Sequence, residues 1–420
     1  MSDSSMNGQQ NPQYPRYIER KVIKAMTDTR VVSIVGPRQA GKTTLAQKLS
    51  GENRPYLTLD DESIFQIAHA DPIAFIRQFE FVTIDEIQRA PELIREIKRS
   101  VDTDQRPGRF VLTGSANILT ISTVSESLAG RMAINELFPL AQAEIEGQEY
   151  NQIDQLFESR PAMYSSRPLD TYDLTRRILA SGYPEMLMRS DSGRRRAWAD
   201  DYIRTLLSRD IREVMNAYRL TDLKALLKTA AIQSAQLIVY SQLAKSLKLS
   251  IPTVQKYINT LEQMYLIRLL PAWSRNSLKR LVRTPKLHFI DAGLLAVLRA
   301  IAPDRLSQDR SLLGPLLESF VFSELLKLAS FSEHAYDFFY YRDKDKVEVD
   351  FVVERPPDGL IGIEVKASAT IRNEDWRGLK RLESVAGSDF TGGIIFYTGD
   401  HALAFGNNLQ ALPVSMLWNG

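Results

Sequence analysis

Apolar positions in the first third of this chain alternate between two rhythms. Val31, Val32, Ile34 and Val35 form the continuous apolar run expected of a strand buried on both faces, and an amphipathic helix follows through Leu49. Pro55 to Leu59, closed by Asp60 and Asp61, reads as a second strand; Asp61 to Phe79 reads as a helical stretch interrupted near Pro72. Phe81 to Ile84 is a third strand, and Pro91 to Ser100 a helix with Leu93, Ile94 and Ile97 at core spacing. Arg109 to Ser115, a helix from Ser122 to Ala129, and Met132 to Leu137 complete the series. Strands and helices in this order predict an α/β fold with a parallel sheet.

The pattern then changes. From Leu140 to Arg167 the alternation is lost, and Asp170 to Gly182 and Gly193 to Asn216 read as helices. Helices are expected at Asp222 to Gln236, Ser241 to Lys248 and Pro252 to Met264, with Ser241 and Ser250 as N-caps. Strands at Leu266 to Pro271 and Leu287 to Asp291 follow, which is the element order of a winged helix. A helix from Gly314 to Leu328 opens the last part, before strands at Phe338 to Arg342, Lys346 to Val353 and Ile361 to Ala367. These changes divide the chain into a disordered tail (1–15), an α/β domain (16–167), a helical and winged-helix region (168–300) and a small α/β domain (301–420).

The chemistry of the first domain begins at the end of its first strand. Gly36, Pro37, Arg38, Gln39, Ala40, Gly41, Lys42 and Thr43 fit GxxxxGK[ST], a loop that cradles phosphate, with Thr44 beside it. Glycines let the backbone turn its N–H groups inward, Lys42 reaches the β- and γ-phosphates, and the Thr43 hydroxyl holds Mg²⁺. Asp85 and Glu86 end the strand that starts at Phe81, so Asp85 is expected on Mg²⁺ and Glu86 on the attacking water. Thr113, Ser115 and Asn117 are γ-phosphate sensor candidates, with Ser115 preferred. Arg131 has two readings: a finger reaching a neighbouring subunit's nucleotide, or a structural arginine paired with a carboxylate. Arg38 and Arg89 are rival phosphate contacts.

Composition narrows the setting. A net charge of +2 leaves any nucleic-acid affinity to local patches. No run approaches the roughly 18 apolar residues of a membrane span, the N-terminus lacks a secretory pattern, and without cysteine a reducing cytoplasm is expected.

GPRQAGKTT, TIDEIQ, LTGSAN, ESLAGR and SGYPE together resemble a family of prokaryotic AAA+ ATPases with an uncharacterised C-terminal region. The resemblance covers nearly the whole chain and implies ATP and Mg²⁺ as cofactors, with site roles for Lys42, Thr43, Asp85, Glu86, Ser115 and Arg131.

Charges also fall where the last domain's strands predict a core. Asp350, Glu364 and Lys366 are costly there unless they share a site, with Glu318 contributed by the helix. The segments EVD and IEVKAS resemble the PD-(D/E)xK nuclease fold, with Val349 in place of the usual proline. That likeness implies Mg²⁺ on Asp350, Glu364 and Glu318, and Lys366 positioning a water; the other reading is a structural ion-pair cluster on a retained scaffold. Arg275, Lys279, Arg280 and Arg283 make the wing basic, whereas the helix of the turn motif carries a single lysine, so DNA contact is expected without sequence preference. The resulting expectation is a DNA-associated, homo-oligomeric ATPase coupled to a nuclease-like domain. The alternative is a nucleotide-dependent switch or protein-interaction module.

Overall fold

The structure, a computed structural model, describes residues 14–114, 128–149, 151–158, 169–214, 220–276, 280, 284–406 and 408–419. Ser115, Asn117, Lys279, Arg283, the expected tail up to residue 13 and most of the expected helix at Ser122 to Ala129 lie outside the described residues.

The first sheet contains β1 (Val31–Val35), β2 (Tyr56–Thr58), β3 (Val82–Asp85), β4 (Phe110–Gly114) and β5 (Met132–Glu136), in the order β2-β3-β4-β1-β5 and parallel throughout. All five residues of β1 are buried because helices cover both faces. Val31 joins the cluster holding Phe75, Ile94 and Ile97, while Val32 and Ile34 join Ile18, Val22 and Leu45 on the other side. The break near Pro72 is real. The helix Glu62–Ala70 ends there, and Asp71 caps the helix Pro72–Arg77 by accepting from the Ala74 N–H at 2.9 Å.

The stretch after Leu140 contains two short helices, Gln142–Glu146 and Gln152–Glu158. Each spans fewer than two helical turns, too short for a repeating pattern, although Ala143, Ile153 and Leu156 are buried. The helices Thr171–Ala180, Pro184–Leu187, Ser192–Val214, Leu220–Ile232, Tyr240–Leu247 and Ile251–Gln263 follow. A small antiparallel sheet joins β6 (Gln236–Leu237), β7 (Ile267–Leu270) and β8 (Lys286–Phe289) in the order β6-β8-β7. Ser250 caps its helix through the Thr253 N–H at 3.2 Å. Ser241 does not: its helix begins one residue earlier at Tyr240, and Val239 at the cap has no side-chain acceptor.

After the helix Leu313–Phe331, β9 (Asp337–Arg342), β10 (Glu348–Arg355), β11 (Gly359–Lys366), β12 (Phe390–Tyr397), β13 (Leu403–Phe405) and β14 (Leu409–Pro413) form a mixed sheet, ordered β13-β14-β12-β11-β10-β9. One face carries Phe351, Val353, Ile361 and Ile363 onto Leu317, Phe320 and Phe322 of the long helix. The other carries Val352 and Leu360 onto Leu379 and Leu382 of the helix Arg377–Ala386. The cluster on the first face continues from Ala143 to Trp418, so the middle and last parts share buried apolar contacts.

The long helix also meets the first domain. Lys21 Nζ reaches the Ser330 carbonyl at 3.2 Å, and the Gln142 N–H donates to Glu324 at 2.7 Å. Among the described residues no helix is long and apolar enough to cross a membrane.

Candidate active site

β1 delivers the chain to Gly36, where a Cβ would lie 2.1 Å from the Leu137 carbonyl oxygen, so only glycine fits. Gln39 and Gly41 then take positive φ values of 59° and 98°, curling the loop around a concavity before the helix Lys42–Lys48. Pro37 and Ala40 are buried, Arg38 is partly covered, and Gln39 and Thr44 are exposed. Lys42 is 5% exposed and donates to the Gly36 and Pro37 carbonyls at 3.0 and 2.8 Å.

Asp85, at the end of β3, is ringed by hydroxyls. Thr43 Oγ1 lies 3.1 Å from Oδ2, the Tyr56 hydroxyl donates to the same oxygen at 2.7 Å, and Thr113 Oγ1 donates to Oδ1. Burial first, and the Asp85 carboxylate second, push the Tyr56 phenol well above its ordinary range. Thr113 also accepts from the Glu86 N–H at 3.3 Å, tying β4 to the turn after β3. Glu86 has left-handed backbone angles (φ 58°, ψ 42°), and Gln88 Nε2 donates to its carboxylate. Sequence pattern brings Lys42, Thr43, Asp85 and Glu86 to one sheet edge as expected of a parallel αβ fold, where ligands gather at strand carboxyl ends.

Three further residues at this edge escape sequence reasoning. Tyr56 lies within an otherwise ordinary strand, and nothing local marks it. Arg16 reaches back to the loop, donating to the Ala40 and Phe138 carbonyls at 2.5 and 2.6 Å while pairing with buried Glu144 at 3.1 Å. Tyr202, from the helix Ser192–Val214, donates to the Arg38 carbonyl at 3.2 Å and stacks on Trp198 with ring centroids 5.1 Å apart. Only the tertiary fold connects these two residues to the loop.

The arginines divide differently. Arg89 pairs with Asp60 at 2.8 Å and lies over the Phe65 ring. Arg131 pairs with Asp102, whose carboxyl the Arg131 hydrogen bond draws down, and its carbonyl accepts from the Val31 N–H at the start of β1. It therefore stands beside the start of β1, at the end of the strand opposite the phosphate loop.

The loop and the Asp85 ring fit a Mg²⁺-bound triphosphate. Gly36, with no room for a Cβ beside the Leu137 backbone, lets the loop turn at the end of β1, and hydroxyl and carboxylate oxygens already meet within hydrogen-bond distance at its edge.

The second constellation assembles where its strands and the long helix meet. Phe351 stands opposite Ile363, which sets Asp350 beside Glu364, and the Val365 N–H donates to Asp350 Oδ2 at 2.9 Å. Lys366 pairs with Glu364 at 3.2 Å and lies 3.9 Å from Asp375. Glu318 arrives from the long helix, as expected, and Gly378 is pressed so close that a Cβ would lie 2.6 Å from Glu364 Oε1.

Sequence reasoning missed the group at the centre. Lys286 Nζ, from β8, lies 2.7 Å from Glu318, 2.8 Å from Glu348 and 3.4 Å from Asp350. Where the sequence leads to an expectation of Mg²⁺ on Glu318, Asp350 and Glu364, the structure places an ammonium among Glu318, Asp350 and Glu348. Among the described residues no group of three or more histidines and acids is arranged to hold a metal. Burial works to lower the Lys286 ammonium, yet Glu318, Asp350 and Glu348 outweigh it and hold it above its ordinary value. The signal was present as Lys286 and His288, two polar residues on one face of a short strand.

One arginine of the basic wing is also redirected. Arg280 forms a fork to Glu354, with both bonds at 2.8 Å, and covers the Phe339 ring at 4.6 Å. The Trp273 indole N–H donates to Glu354 as well, and its backbone N–H donates to the Tyr340 carbonyl at 2.6 Å. Arg280 is thus a packing residue between β10 and the segment after β7, not a phosphate contact.

Residues 28–146 match a family described as AAA domain. Residues 171–305 and 313–417 match two domains of unknown function, DUF8612 and DUF4143. An uncharacterized protein of Mycobacterium tuberculosis is 30% identical over 402 residues, covering 94% of this chain and 82% of its own length, and an uncharacterized protein of Mycobacterium bovis matches equally. A crystal structure of a DNA replication initiation factor aligns over 56% of this chain and 69% of its own, at 11% identity and a TM-score of 0.26.

Proposed function

Because this chain belongs to the family of the two mycobacterial proteins and carries a AAA-type P-loop ATPase domain, we propose that it binds and hydrolyses ATP with Mg²⁺ as a DNA-associated homo-oligomer. The approach of Thr43 to within 3.1 Å of Asp85, beside the loop 36–41 and Lys42, carries this reading. Mg²⁺, when bound, neutralises charge on the β- and γ-phosphates. Thr43 and Asp85 hold the ion, and Tyr56 and Thr113 keep the Asp85 carboxylate aimed.

Lys42 exchanges the Gly36 and Pro37 carbonyls for phosphate oxygens. Glu86, once released from Gln88, accepts a hydrogen bond from the attacking water and polarises it. Ser115 is assigned the sensing of the γ-phosphate, and Arg131 a role across a subunit boundary, for which it must first leave Asp102. ATP turnover by the Lys42→Ala variant tests the assignment; turnover equal to the parent's would end it.

The DNA component rests on two element orders. A helix, β6, two helices and the β7–β8 pair support a winged helix within 168–300. A helix, β9, β10, β11, a helix and β12 support a PD-(D/E)xK-like fold within 301–420. ATP hydrolysis measured with and without duplex DNA over a salt series is the test. No stimulation and no binding at low salt would remove DNA from the proposal.

A second reading is favoured by Lys286 and Arg280, which turn two cations inward: a nucleotide-dependent switch or protein-interaction module whose nuclease-like fold is structural. Metal-dependent DNA cleavage that disappears in Glu364→Ala and Lys366→Ala variants would exclude it.

A further inference from the structure

The cluster around Lys286 draws on three separate elements. β8 supplies Lys286 and His288, the long helix Glu318, and β10 Glu348 and Asp350. The Lys286 side chain is only 3% exposed, and the Glu318 and Asp350 side chains are each 16% exposed. An ammonium with three carboxylate oxygens at 2.7 to 3.4 Å has the charge and much of the coordination that a small cation would have in the same position. His288 is fully buried against Phe322 and Phe351, and neither ring nitrogen has a hydrogen-bond partner. Its Nε2 faces Glu318 Oε1 at 3.8 Å. An unpaired buried imidazole nitrogen beside a carboxylate is costly, and the cost falls if the nitrogen is given a cation to bind.

We propose that Lys286 is the resident cation of this cluster and excludes divalent ions from it, and that removing its charge leaves Glu318, Glu348 and Asp350 without a counter-charge, so that a divalent cation takes the place of the ammonium. The inference concerns the last part of the chain and goes beyond the ATPase reading. It uses no nucleotide, so failure of ATP turnover on changing Lys42 leaves it standing, and its own failure leaves the ATPase reading intact.

The chemistry follows from charge. In the parent, a divalent ion approaching Asp350 meets an ammonium that cannot move far without abandoning Glu318 and Glu348. With methionine at the position, the apolar stem is preserved while the carboxylates lose their counter-charge, and a cation becomes the cheapest way to neutralise them.

The test is Mn²⁺ binding to the full chain, followed by the loss of the free-ion paramagnetic resonance signal, with Asp85→Asn in every sample to silence the first site. Lys286→Met is expected to bind Mn²⁺ at least about tenfold more tightly than the Lys286 protein, and Glu318→Gln added to it to remove the gain. A folded Lys286→Met that binds no more Mn²⁺ overturns the proposal.

If Lys286→Met does not fold, by circular dichroism, Glu318→Gln and Asp350→Asn in the Lys286 protein decide the question. Unchanged Mn²⁺ retention supports the resident ammonium; reduced retention shows a working metal centre and overturns it.

Discussion

Two lysine–carboxylate constellations occupy this chain, and they differ in where the lysine is anchored. In the first, Lys42 begins the helix after its own loop and rests on the Gly36 and Pro37 carbonyls, neutral acceptors that an anion can replace. In the second, Lys286 comes from a distant strand and rests on Glu318, Glu348 and Asp350, which no anion can displace. A local lysine over carbonyls is poised for a ligand, whereas a remote lysine over carboxylates is itself the ligand. Similar residue types therefore support opposite roles, decided by what the ammonium gives up when it moves.

The sharpest way to break this contrast is to remove each lysine. Lys286→Ala leaves the partly buried carboxylates of Glu318, Asp350 and Glu348 without a counter-charge, and should cost about 3 kcal/mol of unfolding free energy in a denaturant titration. Adding Glu318→Gln should recover part of that loss. Recovery would place the cost in the uncompensated charge and not in lost packing.

Lys42→Ala should leave the denaturation midpoint nearly unchanged but lower ATP turnover by about 10²–10³-fold, by analogy with losing one donor at a developing charge. Equal stability losses at the two positions would erase the distinction between a ligand-facing and a structural lysine.

A smaller effect is expected at the back of the phosphate loop. Tyr202→Phe removes the hydroxyl that binds the Arg38 carbonyl at 3.2 Å, and should cost about 1 kcal/mol in stability. A weakened ATP affinity in the same variant would show that the middle region steadies the loop; calorimetric titration with a non-hydrolysable ATP analogue measures it.

A separate effect is on pH dependence. Burial first, then Asp350, raise the Glu318 carboxyl to about 8, against the opposing pull of Lys286; Glu348 adds to the rise and His288 faces it from β8. A carboxyl raised on folding holds its proton in the native state after the unfolded chain has released it. The stabilising contribution is therefore complete below the ordinary glutamate range and declines as pH rises toward about 8. Glu318→Gln should flatten that part of a stability–pH profile measured by thermal melts.

Residues that act through nearby chain were legible before the fold was known. Gly36 through Thr43 form one contiguous loop, Asp85 and Glu86 follow one apolar strand, and the break at Pro72 is announced by its own Asp71 cap. The Lys42–Thr43 loop and Asp85 come from separate stretches, yet parallel strand order brings their carboxyl ends to a common edge. Ser241 shows the local limit, because a shift of one residue at a helix start removes its capping role.

Residues that act across the fold were not legible in the same way. Arg16 and Tyr202 gain their roles only from touching the Ala40 and Arg38 carbonyls, contacts that span 24 and 164 positions. Arg280 reads as part of a basic wing until Glu354 turns it inward. Arg131 reads equally as a finger or a structural residue, and within one chain it is paired with Asp102.

The sequence by itself determined the strand–loop–helix of the phosphate cradle, the acids at the end of β3, and the charged positions on β10 and β11, because periodicity and backbone freedom are local properties. The tertiary structure alone decided what those charges do. Lys286 and Asp350 are 64 positions apart, and only packing of β8 beside the long helix and β10 turns a set of expected metal ligands into the cage of an ammonium.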